Sequence, residues 1–335
     1  MAKTAYSNNI GCYVVDENTQ IVDSVTFNLS KENFEKLSKS EWLDEEKALI
    51  SKHNAVFLGK KQNSEKLQLT DDPKLLRRIL NSLSDKIDLK ELRIRNILET
   101  KIAIANSLTK DMLLVQSINN VEEIDKVSNT LAKRLREWYE LHNPEFSRSI
   151  GDHYRFAKIM LEKNKTELLK EINVDENLSM GANISDIDLF QIRELAKQIV
   201  SLKELKTKHE SYVLEIMEEL CPNMLAMTGA LIGAKLIAIA GDLRRLALFP
   251  ASTVQLLGAE KALFRHIKTG SRPPKFGVLM QHPLVASARR CDMGKVARAL
   301  ANKITLALKV DIYGDKASDS FGKKSLSDLE KKFKK

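Results

Sequence analysis

"VEEIDKVSNTLAKRLREW", Val121 to Trp138, decides the fold. Its apolar residues are Val121, Ile124, Val127, Leu131, Leu135 and Trp138, at steps of 3, 3, 4, 4 and 3. That spacing lines one edge of a helix, as in a coiled coil. The helical pattern runs to about Leu141. Asn143-Pro144 ends it and opens another helix, with Asn143 as cap and Pro144 as first residue. After the polar stretch "INVDENLSMGANISD", Ser185 caps a second long helix. Its seam is Ile192, Leu195, Ile199 and Leu202, resumed after polar Lys206 and His209 at Val213 and Ile216. Two long seamed helices joined by a shorter helical tip predict an antiparallel hairpin. The alternative is two ordinary helices of a globular bundle, whose apolar faces are wider than a seam. A polar pair inside a seam weakens the core there and specifies register or partner. An exposed coiled coil of this kind is expected to self-associate.

Upstream, residues 10–28 read as a β-hairpin, with Ile10, Cys12 and Val14 alternating before the "DENT" turn and Ile21, Val25 and Phe27 after it. Amphipathic helices are predicted around 30–38 and 41–51, a strand at 54–59, and an exit loop in "KKQNSEKLQLTDD". From Asp71 the chain turns helical, with Asp72 as cap and Pro73 in the first turn. Downstream, "MTGALIGAKLIAIAG" is rich in small residues, and Gly229 and Gly233 predict tight core packing. The longest apolar run is broken by Lys235 and ends at Asp242, so no membrane span is expected. Three scattered cysteines, without a CxxC, fit a reducing cytosolic compartment. After Tyr313 the chain is poor in apolar residues and reads as a mobile basic tail.

The charge is concentrated. Residues 242–310 hold 13 Lys and Arg against 3 Asp and Glu, while the other residues hold 41 against 42. A concentrated basic region is the footprint of a polyanion partner. At its centre lies "LLGAEKALFRHIKTGSRPPKFG", Leu256 to Gly277. Residues 259–269 predict a helix with Gly270 as its stop and Leu263, Phe264 and Ile267 as its buried face. Lys261, Arg265 and Lys268, at i, i+4 and i+7, share another side. Two prolines stiffen the exit that presents Arg272 and Lys275. Arg289, Arg290, Lys295, Arg298, Lys303 and Lys309 follow with almost no acids. Taken alone, the helix is as consistent with a solvated face. The regional imbalance favours nucleic acid, and at 6% aromatic residues the mode is phosphate and shape recognition rather than base stacking. No GxxxxGK[ST], GxGxxG or HExxH pattern occurs, and nothing argues for catalysis or a bound metal. His266 and His282 lie in the basic region, where contact with RNA and ordinary hydrogen bonding are both open.

"PASTVQLLGAEKALFRHIKTGSRPPKFG" resembles the signature of the Nop domain, and "CPNMLAMTGALIGAKLIAIAGDLRRLALF" resembles that domain's entry. "DMLLVQSINNVEEIDKVSNTLAKRLREWYELHNPEF" resembles the family's coiled-coil arm, departing from its pattern at "LHNPEF". The best fit is the archaeal Nop proteins of box C/D small ribonucleoprotein particles, given the short tail. The resemblance implies a mainly α chain: a small N-terminal α/β domain (1–70) that binds fibrillarin, a helical, long antiparallel coiled-coil arm (71–219), an all-α C-terminal Nop domain (220–314), and the basic tail (315–335). It further implies a homodimer with Val121, Ile124, Leu131, Leu135, Ile192, Leu195, Ile199, Leu202 and Val213 in the dimerising coiled coil. The implied partners are box C/D guide RNA, fibrillarin and a kink-turn-binding ribosomal-protein homologue, in the cytoplasm of an archaeal cell. No cofactor is expected on this chain, S-adenosylmethionine belonging to fibrillarin. The implied role is a scaffold for RNA-guided 2′-O-methylation, not an enzyme. Gly258, Ala259, Glu260 and Lys261 match the family's Gly-Ala-Glu-Lys element, and Ala262 to Arg265 its Ala-Leu-Phe-Arg element. The resemblance implies that Lys261 and Arg265 face RNA and that Leu263 and Phe264 are core or particle-interface residues; with the charge pattern, the expected RNA contacts are Gly258, Ala259, Glu260, Lys261, Arg265, Lys268, Arg272, Lys275, Arg289, Arg290, Lys295 and Arg298. Glu260 is expected to orient a base or a lysine, or to bind the protein partner.

Overall fold

A computed structural model describes residues 3–28, 30–59, 61, 68–84, 87–175, 178–314 and 318–333. Most of the predicted exit loop lies outside these residues. The chain divides into two compact units, Met1–Leu108 and Thr109–Lys335.

The first unit is a mixed five-stranded sheet between helices. Its elements are β1 (Thr4–Ser7), β2 (Gly11–Val15), β3 (Ile21–Thr26), α1 (Lys31–Ser38), α2 (Asp44–His53), β4 (Val56–Leu58), β5 (Leu69–Thr70), α3 (Pro73–Leu83) and α4 (Leu89–Asn106). The strand order is β3-β2-β1-β4-β5, antiparallel from β3 to β1 and parallel from β1 to β5. Ala5, Cys12, Val14 and Phe57 pack on Leu49 and Ile50 of α2, beside Trp42 and Leu43. Val15 and Leu58 pack with Ile79 and Leu83 of α3 in a separate core. The expected hairpin is present, with one difference. A register shift between Val14 and Val15 sets Val15 opposite Ile21 and Val14 opposite Asp23. Ile21 therefore joins the α3 core while Val25 joins the α2 core, against a strict period of two.

The unit ends at Leu108, not at residue 70. α3 contributes to its core, and Arg95 of α4 is 5% exposed. The Arg95 guanidinium donates to the Phe27 carbonyl at 2.8 Å and pairs with Glu91. It ties α4 to the end of β3, with both charge and hydrogen bonds satisfied.

The second unit opens with α5 (Lys110–Glu140), α6 (Pro144–Ser149), α7 (His153–Glu162), α8 (Lys165–Glu171) and α9 (Asp186–Leu220). The Asn143 side chain accepts from Phe146 N–H and the Ser185 side chain from Asp188 N–H, as predicted. α5 and α9 run antiparallel: Lys110 pairs with Glu219, Asn120 meets His209, and Asp125 pairs with Lys206 at 2.6 Å.

The observed seam of α5 differs from the predicted one. Its buried positions are Leu114, Ser117, Ile118, Val121, Ile124, Ala132, Leu135 and Tyr139, with Asp125, Ser128 and Leu131 half-buried, while Val127 and Trp138 are exposed. Between Ile124 and Ala132 the inner side passes through polar Asp125 and Ser128, so a search for large apolar residues slides onto Val127 there. Lys206 reaches across to Asp125, and His209 meets Asn120 and Ser117. The Asp125 side chain is half exposed, so the pair adds little stability; its position fixes the register of the hairpin. Val121, Ile124, Leu135, Ile192, Ile199 and Val213 are buried within this one chain, whereas Leu131, Leu195 and Leu202 are half-buried.

At the tip, Tyr139, Phe146 and Phe156 form an aromatic cluster. Arg136 lies over the Phe156 ring and donates to the Ser147 and Ile150 carbonyls and to His153 Nδ1. The departure at "LHNPEF" is thus accommodated by a closed tip.

The remaining elements are α10 (Pro222–Thr228), α11 (Ala230–Ala240), α12 (Leu243–Leu248), α13 (Ala251–Leu256), α14 (Glu260–Thr269), α15 (Pro283–Ala286), α16 (Met293–Tyr313) and α17 (Ser320–Phe333). Gly229, at φ +74°, bends the small-residue run by 114° between α10 and α11, and the tight packing falls at Gly233, where a Cβ would lie 2.5 Å from Met217 Cε. Among the described residues no single helix is long and apolar enough to cross a membrane. There is no break at residue 220. Leu114, Ile118, Val121, Val213 and Met217 of the arm share one core with Met224, Ile237, Val254, Leu300 and Leu308.

The tail is a correction. Residues 320–333 form α17, which packs on α10 and α16 and buries Gly322, Ser325 and Leu329. Asn223, fully buried, accepts from Gly322 N–H at 2.9 Å, and Asp311 accepts from the Asn223 and Met224 N–H groups. A Cβ on Gly322 would lie 2.3 Å from the Asn223 carbonyl oxygen, so the two helices touch backbone to backbone. Glycine and serine take the stripe positions that large apolar residues fill elsewhere, which hides this helix from a hydropathy search.

Candidate nucleic-acid interface

Four segments build the basic surface: α13, α14, the Ser271–Gly277 strap and the start of α16. Gly258 turns the chain between α13 and α14 at φ +85°, and a Cβ there would lie 2.6 Å from Val278 Cγ2. Only glycine fits. Its N–H donates to Glu260 Oε1 at 2.7 Å. The acid of the Gly-Ala-Glu-Lys element therefore closes the turn that leads into its own helix. α14 ends at Gly270 in the left-handed conformation, as predicted.

The buried face of α14 is another correction. No residue of this helix is buried, and Phe264 and Ile267 are 63% and 68% exposed. The helix rests on its Ala262, Leu263 and His266 side, which is half-buried. At 100° per residue the opposite side carries Phe264, Lys268, Lys261 and Arg265. A phenylalanine thus stands in solvent among three cations.

The strap is held at both ends. The His266 Nδ1–H donates to the Ser271 carbonyl. Buried Gln255 donates through Nε2 to the Lys275 carbonyl at 2.6 Å, and Gly277 and Val278 N–H groups donate to the Gln255 and Leu257 carbonyls. Gln255 was not legible as a site residue, since nothing in the sequence marks an amide that anchors a loop 20 residues on.

All nine predicted cations are exposed. Arg289 and Lys295 pair with Asp292 at 3.0 and 3.2 Å. Among the described residues Lys261, Arg265, Lys268, Arg272, Lys275, Arg290 and Arg298 have no carboxylate partner. Three of them share the outer side of α14. Arg272, Lys275, Lys295 and Arg298 line a groove of 730 Å³ together with Leu256, Pro273 and Pro274. Arg289 and Arg290 sit in the turn before α16. Repulsion among these groups destabilises the free protein and is relieved when an anion binds. Lys235, which interrupts the apolar run, instead pairs with Glu122 of the arm at 3.1 Å.

His282 is not part of this surface. It is buried, its Nε2–H donates to the Met227 carbonyl at 3.0 Å, and its Nδ1 accepts from Leu284 N–H. Burial lowers its pKa from the ordinary 6.5, and burial likewise lowers those of His142 and His153. Neutral His153 also accepts from Arg136. A histidine whose pKa falls on folding binds fewer protons in the native state than in the unfolded one, so it contributes stability above about pH 6.5 that is lost as pH falls. The expected result is a melting midpoint that declines from pH 7.5 to pH 5.5, with His282→Gln flattening part of the decline. A midpoint that holds steady or rises over that range refutes the assignment.

Residues 120–335 match the Nop family model, described as "snoRNA binding domain, fibrillarin". The chain is 40% identical over 234 residues to the probable nucleolar protein 5-2 of Arabidopsis thaliana, covering 66% of this chain and 44% of that protein. It is 36% identical over 277 residues to nucleolar protein 56 of Dictyostelium discoideum, covering 74% and 51%. It is 36% identical over 236 residues to an uncharacterised NOP5 family protein of Methanocaldococcus jannaschii, covering 66% and 57%. The chain spans about half the length of these curated relatives. A crystal structure of a fibrillarin/Nop5p complex aligns over 98% of this chain and 99% of that one, at 23% identity and a TM-score of 0.42. The match over the arm, the basic surface and α17 settles kinship: the chain belongs to the Nop family.

Proposed function

We propose that this protein is a non-catalytic scaffold of a box C/D particle for RNA-guided 2′-O-methylation. It bridges fibrillarin, the methyltransferase, to a guide RNA held by a small kink-turn-binding protein. The observation that carries this reading is the outer side of α14, where Lys261, Arg265 and Lys268 stand without acids beside an exposed Phe264. Cations alone suit a phosphate backbone; an apolar ring among them suits a surface made jointly of RNA and protein. The family description, "snoRNA binding domain, fibrillarin", supports an RNA-binding, fibrillarin-associated role.

Self-association belongs to the same reading. The buried seam residues close the hairpin of a single chain. Val127, Trp138, Leu205, Tyr212 and Leu214 remain exposed along the arm and would supply the contact between copies.

Purified protein mixed with S-adenosylmethionine, guide RNA and target RNA is expected to transfer no methyl group until fibrillarin is added. Guide-RNA affinity should fall steeply between 50 and 200 mM salt, as counterions released by each neutralised phosphate require. Methyl transfer without fibrillarin, or an affinity indifferent to salt, overturns the reading.

A further inference from the structure

In the first unit, α4 is packed in the reverse sense of an ordinary surface helix, which buries its apolar side. Its inward side is polar. Buried Arg95 donates to the Phe27 carbonyl, Asn9 Nδ2 donates to Asn96 Oδ1 at 2.6 Å and to the Glu99 carboxylate, and Asn106 Nδ2 donates to Glu35 Oε1 at 3.3 Å. Among the described residues, neither core of the unit includes a side chain of α4. Three isoleucines point away instead: Ile94, Ile97 and Ile104 are 59%, 45% and 66% exposed. At 100° per residue, Lys90, Arg93, Ile94, Ile97, Lys101 and Ile104 fill one arc of about 100° on the side away from Arg95. The two acids of α4, Glu91 and Glu99, lie on the Arg95 side. Lys90, Arg93 and Lys101 have no carboxylate partner among the described residues. Lys90, Ile94, Ile97, Lys101 and Ile104 follow steps of 4, 3, 4 and 3, the spacing of a coiled-coil seam. Single exposed apolar side chains need no explanation, but isoleucines aligned at this spacing do.

We propose, beyond the RNA-scaffold reading and independently of it, that the outer side of α4 is one half of a coiled coil whose other half is an acidic amphipathic helix on a partner protein. Charge selects that occupant. Three cations and no acid make two copies of this face repel, so the seam does not pair with itself. A phosphate backbone would use the cations and gain nothing from the isoleucines. An acidic helix uses both: its apolar seam covers Ile94, Ile97 and Ile104, and its flanking carboxylates reach Lys90, Arg93 and Lys101. Lys101 stands in the seam between Ile97 and Ile104, where a lysine fixes register by demanding an acid opposite. Lys206 makes the same demand inside the arm and is met by Asp125. The helix is ordered before its partner arrives. Asp88 caps its start by accepting from Lys90 N–H, and Arg95 ties it down, so pairing costs little chain freedom. Its 18 residues offer a seam about 27 Å long.

The probe is a labelled synthetic peptide of three heptads, with Ile and Leu at its seam positions and Glu at the flanking positions, where the like charges keep it from pairing with itself. Its binding to the full chain is followed by fluorescence anisotropy, beside the same peptide with Lys in place of every Glu. The parent protein is expected to bind the acidic peptide at least roughly tenfold more tightly than the basic one. Ile97→Ser/Ile104→Ser should weaken that binding at least roughly tenfold, through the apolar area left unburied. Lys90→Glu/Arg93→Glu/Lys101→Glu should reverse the preference and bind the basic peptide. All five substituted side chains are exposed, so the melting midpoint should stay that of the parent. No preference for the acidic peptide, or full binding by the serine variant, overturns the seam. Tighter binding of phosphatidylglycerol vesicles or of hexauridylate than of the acidic peptide, lost in the same variants, gives the face to a lipid surface or to RNA and overturns the protein partner. Loss of self-association in the serine variant makes the face a contact between copies and overturns the partner likewise. The RNA-scaffold reading is tested separately, by Lys261→Glu/Arg265→Glu, and survives each of these outcomes.

Discussion

Replacing Lys261 and Arg265 together by glutamate is expected to weaken guide-RNA binding by at least roughly 100-fold. A charge-assisted hydrogen bond contributes about 1.5 kcal/mol or more, and about 1.4 kcal/mol is a factor of ten. Two such contacts account for the estimate before repulsion from the new carboxylates is counted. Both side chains are exposed and neither has a carboxylate partner among the described residues, so folding should not change. Fluorescence anisotropy against labelled guide RNA gives the affinity, and the slope of log affinity against log salt should become shallower by about two contacts. Melting temperature and oligomeric state, measured in parallel, should match the parent protein. Full guide-RNA affinity in the double variant would move the interface off α14.

In the first unit, Lys61→Met is expected to cost about 3–5 kcal/mol, because it strips a buried carboxylate of its counter-charge. Glu46 is fully buried. It accepts from Leu43 N–H at 3.0 Å, from the Ser7 hydroxyl and from the Lys61 ammonium. The Lys61 ammonium lies 5.1 Å from the Trp42 ring centroid and 5.7 Å from that of Phe57, so it is nearly dry and held over two aromatic faces. For a unit of this size such a loss lowers the melting midpoint by more than roughly 10 °C. Trp42 fluorescence in a Trp138→Phe background reports it. The double variant Glu46→Gln/Lys61→Met should recover most of the loss, since a neutral amide no longer needs the ammonium. A single variant within ~1 °C of the parent would show that Glu46 is held without Lys61.

What could be read from the sequence was what local chemistry dictates. Ser185, Asn143-Pro144, Asp72-Pro73 and Gly270 each mark a helix end through their own backbone preferences, and each does so in the structure. The regional charge excess was equally plain, because repelling cations show up by counting. What escaped were features that depend on residues distant in sequence. Arg95 reads as one more helical cation until the Phe27 carbonyl is placed against it. Gly322 reads as a breaker until Asn223 arrives. Phe264 and Ile267 read as core by their chemistry, and only the family resemblance kept an interface role open for Phe264. Only the packing of α14 shows that their side of the helix was left open.

The crossed Asp125–Lys206 and Asn120–His209 contacts bear on more than alignment. Sliding one helix past the other by a single heptad would strand Lys206 against apolar side chains. The hairpin is thereby kept from lengthening or shortening in steps. With about 46 Å of helix in α5, it acts as a gauge of constant span. The aromatic tip is then kept at one set reach from the core beneath the cationic face.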